Sequence, residues 1–495
     1  MLRVIGNDES LPRQEHAVAS GTITSGAPVV VNADGTVGAS AGSVSFLEGT
    51  AVNFSSQFDG GVGYDSTNNK IVVAWADESN SKYGSARVGT IDPSDNSVTF
   101  GSTAVFESAG VKVKHGSIAH DVANNKIVIV YKDEGNSNYG TAVVGTISGT
   151  SISFGTPVVY SSGINVVSNT ATYSPTDEKL LITYRIGSGR AIVGTVSGTS
   201  ISFGSEVEYN SSAAASAVSV SYITTAGKFC VYYQDSSAGY PSVHTEARIA
   251  TISGTSVSFG SANQISPTSS AANEIPNYGR SAYDTKNDKM IFTWNESGDG
   301  SHAVVGTVSG TSISTGTAVN FDGESVSADM GVVFDENVGK VFISYKANVS
   351  GTNLRKFIIG TVSGTNISFN TEDDFGPNDA STSKHTTVYD SGSKRVVIAY
   401  DDQSNGEIGY VTVFTIAGTA QNLTSENYIG IARSGAASGA GIIVDTQGAI
   451  ANNLSGLTPG QSYYVQTDGT LGTTAASPSV FAGTAVSATE LIVKG

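Results

Sequence analysis

The sequence contains few charged residues and no long apolar stretch, and each of these features excludes a class of protein. Only 14% of the 495 residues are charged, and 26 Lys and Arg face 43 Asp and Glu, which gives a net charge of −17 at pH 7. Nucleic-acid binding requires clustered basic residues, so no nucleic-acid partner is expected. No apolar run approaches the ~20 residues of a membrane-spanning helix, so no membrane insertion is expected either.

Cysteine is almost absent, since Cys230 is the single one. No intramolecular disulfide can therefore form. Cys230 lies in the apolar stretch Phe229–Val231, which favours an inert buried thiol over a nucleophile. Residues 1–9 lack the apolar core of a secretory signal peptide, so no Sec signal is expected.

Glycine and apolar residues are, in contrast, plentiful. The chain has 58 glycines, and 39% of its residues are hydrophobic. Apolar residues recur at strand period between turn residues, which favours strands over helices and order over disorder. The composition predicts a well-ordered all-β protein.

A motif made of a lysine, an apolar strand and a closing aromatic residue recurs seven times. Successive lysines are 49 to 61 residues apart. Such a fixed period indicates a repeat architecture. The seven copies are Lys70–Trp75, Lys126–Tyr131, Lys179–Tyr184, Lys228–Tyr233, Lys289–Trp294, Lys340–Tyr345 and Lys394–Tyr400.

Each copy is one part of a unit of four short strands. One strand precedes the lysine, a strand with a threonine follows the aromatic residue, and a Ser-Gly-Thr type of turn leads to a fourth strand such as Ile152–Tyr160. Four antiparallel strands per ~50 residues are typical of propeller blades, whereas tandem sandwich domains need about twice that length. The sequence predicts an all-β fold: a seven-bladed β-propeller at 43–417, with a small β-rich region built from residues 1–42 and 418–495.

The seventh repeat lacks a recognisable fourth strand after Val413–Ile416. Gly49–Phe54 is identical to Gly316–Phe321 of the fifth repeat. Residues 43–54 are therefore predicted to supply the missing strand, which would close the last blade and remove a free sheet edge.

A competing alignment assigns part of this strand to the terminal region. Residues 26–52 align without a gap on 460–486, and both copies contain Asp-Gly-Thr, at Asp34 and at Asp468. Asp-Gly between apolar runs predicts a hairpin. Under this alignment, Gly49–Val52 would belong with the C-terminal module.

The residues that recur in every repeat are interpreted as structural. The closing aromatic residues and the threonines of the third strands are expected to pack between blades. A first acidic series is interpreted as turn chemistry; it comprises Asp65, Asp121, Asp284, Asp335 and Asp390. A second series is interpreted as solvated loop acids, with calcium binding as a less favoured alternative; it comprises Asp77, Asp133, Asp235, Glu296 and Asp401.

Signals of catalysis are weak. The six histidines show no HExxH or paired metal spacing, and no Gly-x-Ser-x-Gly elbow or phosphate loop occurs. We therefore expect a protein that is not an enzyme, with no catalytic residue, no metal and no cofactor. A pair of carboxylates that cleaves glycans stays open as an alternative.

Long, irregular connections are predicted to share one face of the propeller, where loops on a rigid scaffold commonly bind partners. Residues near the starts of the first strands on that face are the candidate binding residues, and a merely solvated rim is the alternative. They are Asp59, Lys114, His115, Tyr278, Arg280, Asp329, Lys384 and His385.

Three stretches carry a resemblance to a known group of proteins. Leu457–Leu471, continued by Ser477–Gly483 and Ala488–Lys494, resembles the closing module of tailed-phage virion proteins. Val29–Val37 resembles a phage structural motif. The repeated Val-Gly-Thr-Ile-Ser-Gly-Thr-Ser-Ile-Ser-Phe-Gly of the blades is similar to propeller repeats of phage tail and fibre proteins.

The resemblance implies a structural or host-attachment protein of a tailed-phage virion, made in the host cytoplasm and built into the tail or tail fibre during virus assembly. Its implied partners are other virion proteins, copies of itself, and a glycan or protein of the host surface. Two alternatives stay open: a carbohydrate-active propeller enzyme on the virion, and a bacterial surface adhesin.

Overall fold

The computed structural model describes residues 13–21, 23–32, 34–40, 44–162, 165–211, 216–235, 243–267, 277–296, 299–322, 325–326, 330–349, 352–376, 384–402, 405–418, 423–424, 426–466, 469–475 and 479–494. Regular structure in these ranges is β-strand, apart from short 3-10 turns such as Glu78–Asn80. No helix of the described ranges is long and apolar enough to cross a membrane. The chain divides into two compact units, one of residues 46–416 and one of residues 1–45 with 417–495.

The strands before the first repeat are β1 (Gln14–Val18), β2 (Pro28–Val31), β3 (Val37–Ala39), β4 (Val44–Glu48) and β5 (Val52–Ser55). Repeats one and two contain β6 (Gly60–Asp65), β7 (Lys70–Asp77), β8 (Tyr83–Asp92), β9 (Ser97–Phe100), β10 (Ala104–Lys112), β11 (Ile118–Asp121), β12 (Lys126–Asp133), β13 (Tyr139–Ser148), β14 (Ser151–Phe154) and β15 (Val158–Ser161). Repeats three and four contain β16 (Val167–Ser174), β17 (Lys179–Arg185), β18 (Gly189–Ser197), β19 (Ser200–Phe203), β20 (Val207–Asn210), β21 (Ser216–Ile223), β22 (Lys228–Asp235), β23 (His244–Ser253), β24 (Ser256–Phe259) and β25 (Asn263–Gln264).

Repeats five and six contain β26 (Asn277–Asp284), β27 (Lys289–Glu296), β28 (Gly300–Ser309), β29 (Ser312–Thr315), β30 (Val319–Asp322), β31 (Ser325–Val326), β32 (Gly331–Asp335), β33 (Lys340–Val349), β34 (Thr352–Ser363), β35 (Asn366–Phe369) and β36 (Asp373–Asp374). Repeat seven contains β37 (His385–Asp390), β38 (Arg395–Asp402) and β39 (Ile408–Gly418). The C-terminal strands are β40 (Tyr428–Ala432), β41 (Gly441–Asp445), β42 (Ile450–Ala451), β43 (Ser462–Val465), β44 (Leu471–Gly472), β45 (Val480–Ala485) and β46 (Leu491–Val493).

Each repeat builds an antiparallel sheet in the same order. A first strand pairs with a second, the second with a third, and the third with two short outer strands. The sequence predicted one continuous fourth strand, and this was wrong: β14 and β15 both pair with β13, with Gly155–Pro157 between them. Pro157 has no amide hydrogen and cannot donate to a ladder, which fits an interruption at this point.

The sheets of consecutive repeats pack against each other through their first strands. β6 contacts β11, and the same contact links β11 to β16, β16 to β21, β21 to β26, β26 to β32, β32 to β37, and β37 to β6. Apolar side chains fill the space between neighbouring sheets; Val62 and Ile71 of repeat one share a cluster with Val397 and Val411 of repeat seven.

The closing aromatic residues of the second strands are buried, which confirms the packing role expected of them. Several of their polar groups meet a carboxylate: Tyr131 donates to Glu107 at 3.0 Å and Tyr345 to Glu372 at 2.7 Å. The buried members are Trp75, Tyr131, Tyr184, Tyr233, Trp294, Tyr345 and Tyr400.

The first acidic series makes turns, as expected. Asp65 accepts hydrogen bonds from the backbone amides of Thr67 (3.0 Å) and Asn68 (2.9 Å) in the turn between β6 and β7. Side-chain oxygens of the other four aspartates accept backbone amides in the same way at their own turns. These carboxylates therefore stabilise the turns, as aspartate commonly does.

The glycine that ends the repeated Ser-Phe-Gly motif lies against the next repeat. A Cβ atom on Gly155 would overlap the carbonyl oxygen of Thr199, in the turn before the outer strands of repeat three. A Cβ atom on Gly49, which follows β4, would likewise overlap the carbonyl oxygen of Asn96 in repeat one. Only a hydrogen fits at such a contact, and this explains why the motif ends in glycine.

The partner of residues 49–55 is the third strand of repeat seven. Val52 lies opposite Val411 and Asn53 opposite Tyr410 on β39, and the amide of Gly49 donates to the carbonyl oxygen of Val413 at 2.8 Å. β4 also pairs with β39. This is the pairing expected if the early strand completes the last repeat.

The second unit contains two five-stranded sheets of matching topology. Their strand orders are β1-β41-β40-β2-β3 and β42-β46-β45-β43-β44. The hairpins β2–β3 and β43–β44 have the same backbone hydrogen bond at their turns. The amide of Asn32 donates to the carbonyl oxygen of Thr36 at 2.9 Å, and the amide of Gln466 donates to that of Thr470 at 2.8 Å. The Asp-Gly hairpin prediction is thereby confirmed for the first part of the alignment of 26–52 with 460–486.

The last part of that alignment was wrong. Gly483 lies opposite Tyr463, and Gly430 lies opposite Val29, each next to a register shift. Gly483 therefore corresponds to Gly430 and not to Gly49. The first of the two matching sheets takes strands from both ends of the sequence, which an ungapped alignment of one end on the other cannot represent.

Candidate functional site

The candidate residues lie at the starts of first strands in several repeats. Asp59 precedes β6, Lys114 and His115 precede β11, and Lys384 precedes β37. His385 is the first residue of β37 and Arg280 lies within β26. Of the other two, Tyr278 lies in β26 with only its backbone described, and Asp329 lies outside the described residues.

Three of these residues form an exposed charge cluster. The ammonium nitrogen of Lys114 lies 3.3 Å from one carboxylate oxygen of Asp59, and that of Lys384 lies 3.6 Å from the other. They belong to the first, second and seventh repeats. Because one carboxylate pairs with two lysines, this group of three side chains carries a net positive charge, although the overall charge of the chain is −17.

A second group of three is basic and more deeply placed. Arg280 and His385 are buried. Burial lowers the pKa of His115 well below its ordinary value, and the neighbouring Arg280 and His385 lower it further. The Nε2 atom of His385 lies 3.2 Å from the carbonyl oxygen of Ser344, which can only accept, so Nε2 carries the proton.

The members of this second group come from repeats two, five and seven, which are not neighbours along the chain. Each of the three residues lies near the start of a first strand. With the lysine pair, the site offers Lys, Arg and His donors, which suit an anionic or strongly polar group of a partner. Cys230 is fully buried, and burial raises the pKa of its thiol, as expected for an inert cysteine.

Sequence reasoning missed a groove of about 420 Å³ between the outer strands of repeats one and two. It forms because β10 is long and pairs with both β8 and β12, so that the two repeats share a ten-stranded sheet. Its lining includes the carboxylates Glu107 and Asp133, with Asn136 and Thr141. The spacing of the repeats gave no signal of it, because the interval from Lys70 to Lys126 is shorter than that from Lys228 to Lys289.

The two carboxylates of the groove sit in different environments. Burial raises the pKa of Asp133, and the charge of Glu107 raises it further. Glu107 accepts the hydroxyl of Tyr131 at 3.0 Å.

Comparison with known proteins adds little to this geometry. No protein-family model matches the sequence, and no curated protein matches it. Among solved structures, a 6-phosphogluconolactonase-like protein of Bacteroides uniformis is similar over 69% of this chain and 94% of its own, at 9% identity and a TM-score of 0.45. At that TM-score the likeness supports no statement about activity.

Proposed function

We propose that residues 46–416 form a seven-bladed β-propeller whose last blade is completed by β4 and β5. The contacts of the first strands support this, because they return from repeat seven to repeat one. The pairing of Val52 with Val411 supports it as well. A closed ring leaves no free sheet edge between the first and last blades.

We further propose that the protein is a structural or host-attachment component of a tailed-phage virion, with the propeller as an interaction platform. The resemblance of Leu457–Leu471 and of the blade motif to virion proteins supports the setting. The observation that carries the binding role is the charge cluster at the first-strand starts, where Lys114 and Lys384 both lie close to the carboxylate of Asp59. The cluster brings together three of the eight candidate residues, from repeats one, two and seven.

Two measurements test the proposal. Mass spectrometry of purified particles from the phage or lysogen that encodes the chain should detect the protein, and its absence from particles would overturn the virion assignment. Purified protein should bind the surface of the host, and Lys114→Glu with Lys384→Glu should reduce this binding. The matched control is Lys126→Glu with Lys179→Glu, which makes the same charge change at the other end of the sheets and should leave binding intact.

The groove between repeats one and two favours a second candidate function, cleavage of a glycan. Glu107 and Asp133 would supply the pair of carboxyl groups that glycoside hydrolysis requires. Incubation with host polysaccharide followed by chromatography tests this. Released oligosaccharides that disappear with Glu107→Gln would establish an enzyme, and intact polysaccharide would leave binding as the function.

A further inference from the structure

Repeat four carries one histidine and two carboxylates on the same face of its sheet. Asp235, at the end of β22, lies directly opposite His244, the first residue of β23. Glu246 follows two residues later and shares the face of His244, because side chains alternate along a strand. Residues directly opposite each other on paired strands also share a face. The register thus gathers three potential metal ligands.

The distances fit a coordination sphere. Each of the three residues offers one ligand atom, and these atoms lie within 4.8 Å of one another. The Nε2 atom of His244 lies 3.2 Å from Oε1 of Glu246. Two ligands of a tetrahedral zinc ion, each about 2.0–2.1 Å from the metal, are about 3.3 Å apart. The same separation also fits a hydrogen bond between His244 and Glu246, and titration with Zn²⁺ distinguishes a metal site from a hydrogen bond.

The groups are held in a largely buried setting. Asp235 is 8% exposed, and the side chains of His244 and Glu246 are 18% and 15% exposed. Two carboxylates held this close in a poorly hydrated site repel each other, and a positive charge between them offsets that cost. A dication or a protonated His244 would supply it.

The glutamate is oriented from behind by two further side chains. The hydroxyl of Tyr233 donates to Oε2 of Glu246 at 2.7 Å. The Nε–H of Arg248 donates to the same hydroxyl oxygen at 3.1 Å, so the hydroxyl hydrogen is free to point at Glu246. Oε1 consequently stays turned toward His244. Hydrogen bonds that fix a ligating carboxylate in this way are typical of metal sites.

The repeated fold does not itself require these residues. In repeat two, Asp133 lies opposite Tyr139, the position that His244 takes in repeat four. Thr141 occupies the position of Glu246. The same scaffold forms with tyrosine and threonine at these two positions. Glu246 also accepts the hydroxyl of the closing Tyr233, as Glu107 and Glu372 accept those of repeats two and six, so the histidine is the residue that the repeat pattern does not explain.

We propose that Asp235, His244 and Glu246 bind a divalent transition-metal ion of the zinc type. An imidazole beside carboxylates suits Zn²⁺ and its neighbours in the first row, whereas Ca²⁺ takes oxygen ligands alone. Three protein ligands leave a position open for water or for a donor group of a partner. No metal site was predicted from the sequence because these ligands come from two strands and match no contiguous motif.

Titration of the full-length, untagged protein with Zn²⁺ by isothermal calorimetry tests the proposal, with the visible absorption of bound Co²⁺ as a second readout. The wild type should bind one ion at this site, and Ca²⁺ at the same concentration should not displace it. His244→Gln and Asp235→Asn should each weaken Zn²⁺ binding at least about tenfold. Asp77→Asn, at the matching position of repeat one, should leave it unchanged.

His302→Gln is the second control, because Glu296, Asp299 and His302 form another group of three potential ligands among the described residues. There the Asp299 side chain is 65% exposed and lies 3.4 Å from His302, so weaker binding is expected. The proposal is overturned if the wild type binds no Zn²⁺, if His244→Gln binds as the wild type does, or if only His302→Gln abolishes binding. Circular dichroism of the metal-free variants shows whether each is folded.

Discussion

The Nε atom of Arg395, in the last repeat, donates a hydrogen bond to the side-chain oxygen of Asn96, in the first repeat, at 2.7 Å. The hydroxyl of Thr415 donates to the same oxygen at 3.0 Å. The side-chain amide of Asn96 donates to the carbonyl oxygen of Leu47 at 3.0 Å. This single buried side chain therefore ties the first repeat to the last and to the early strand β4.

Asn96→Ala should destabilise the protein by about 2–3 kcal/mol. The substitution removes the oxygen that accepts from the half-buried Arg395 and Thr415, and it places alanine at a φ of 60°, in the left-handed region that asparagine tolerates better. Urea unfolding measures the loss. Asp95→Ala in the same turn removes only an exposed bond to the amide of Ser97 and should cost less than about 1 kcal/mol. Equal losses for the two variants would contradict the tying role.

Gly49→Ala tests the contact between the early strand and repeat one. The new Cβ atom would overlap the backbone of Asn96, and relief requires a shift of packed main chain, which costs about 1–3 kcal/mol. Gly110→Ala is the control, because its Cβ would meet nothing nearer than 3.7 Å. A lower thermal midpoint for Gly49→Ala alone is expected, and unchanged midpoints for both would refute the close approach.

Much of the strand pattern could be predicted because its sequence motif recurs seven times. The lysine-to-aromatic motif located the second strands, and the identity of Gly49–Phe54 with Gly316–Phe321 indicated the partner of the early strand. The split of the outer strand was missed although it recurs in every repeat. Only repeat two marks it with a proline, Pro157, whereas the other repeats have residues there that a continuous strand would also accept.

The only residues of the candidate site that could be predicted are charged residues that follow a long connection. Lys114 and Lys384 were recognised because they precede first strands, and both form ion pairs with Asp59. The groove at Glu107 and Asp133 was missed because it depends on β10 pairing with two sheets. Such proximity between residues of different repeats has no signal in one sequence, since strand register across sheets decides it.

Asp59→Asn should leave folding almost intact. Its ion pairs with Lys114 and Lys384 join partly exposed side chains, and such pairs contribute about 0–1 kcal/mol. Thermal unfolding should shift little, while binding of an anionic partner at the cluster should strengthen, because two lysines lose their carboxylate. A large fall in the unfolding midpoint would show that the cluster is structural.

Deletion of residues 419–495 should leave the seven repeats folded. The strands that complete their sheets all lie within residues 44–418, and residues 46–416 form a compact unit. Circular dichroism should retain its β spectrum, with one cooperative thermal transition. Deletion of residues 1–55 is the contrasting variant, since it removes β4 and β5 and exposes the edge of β39. If the two truncations behave alike, the early strand has no special role in the repeats.

Asp133→Asn should stabilise the protein at neutral pH. Burial, and then the charge of Glu107, raise the pKa of Asp133 in the folded chain. The folded state therefore holds this proton more tightly than the unfolded state does. The stability that results is present below the ordinary pKa of aspartate and is lost as the pH rises through the raised value. Asparagine avoids this loss and can still accept the amide of Asn136, as Asp133 does at 3.0 Å.

Thermal midpoints of wild type and Asp133→Asn, compared from pH 4 to pH 8, should therefore differ most at neutral pH and converge toward pH 4. Asp92→Asn should show the opposite sign. The hydroxyl and the amide of Ser94 donate to Asp92 and lower the pKa of its carboxyl group, so that its contribution is present at neutral pH and fades in acid. A neutral-pH midpoint of Asp133→Asn below that of the wild type would mean that the charge of Asp133 is compensated in the folded groove and that its pKa is not raised.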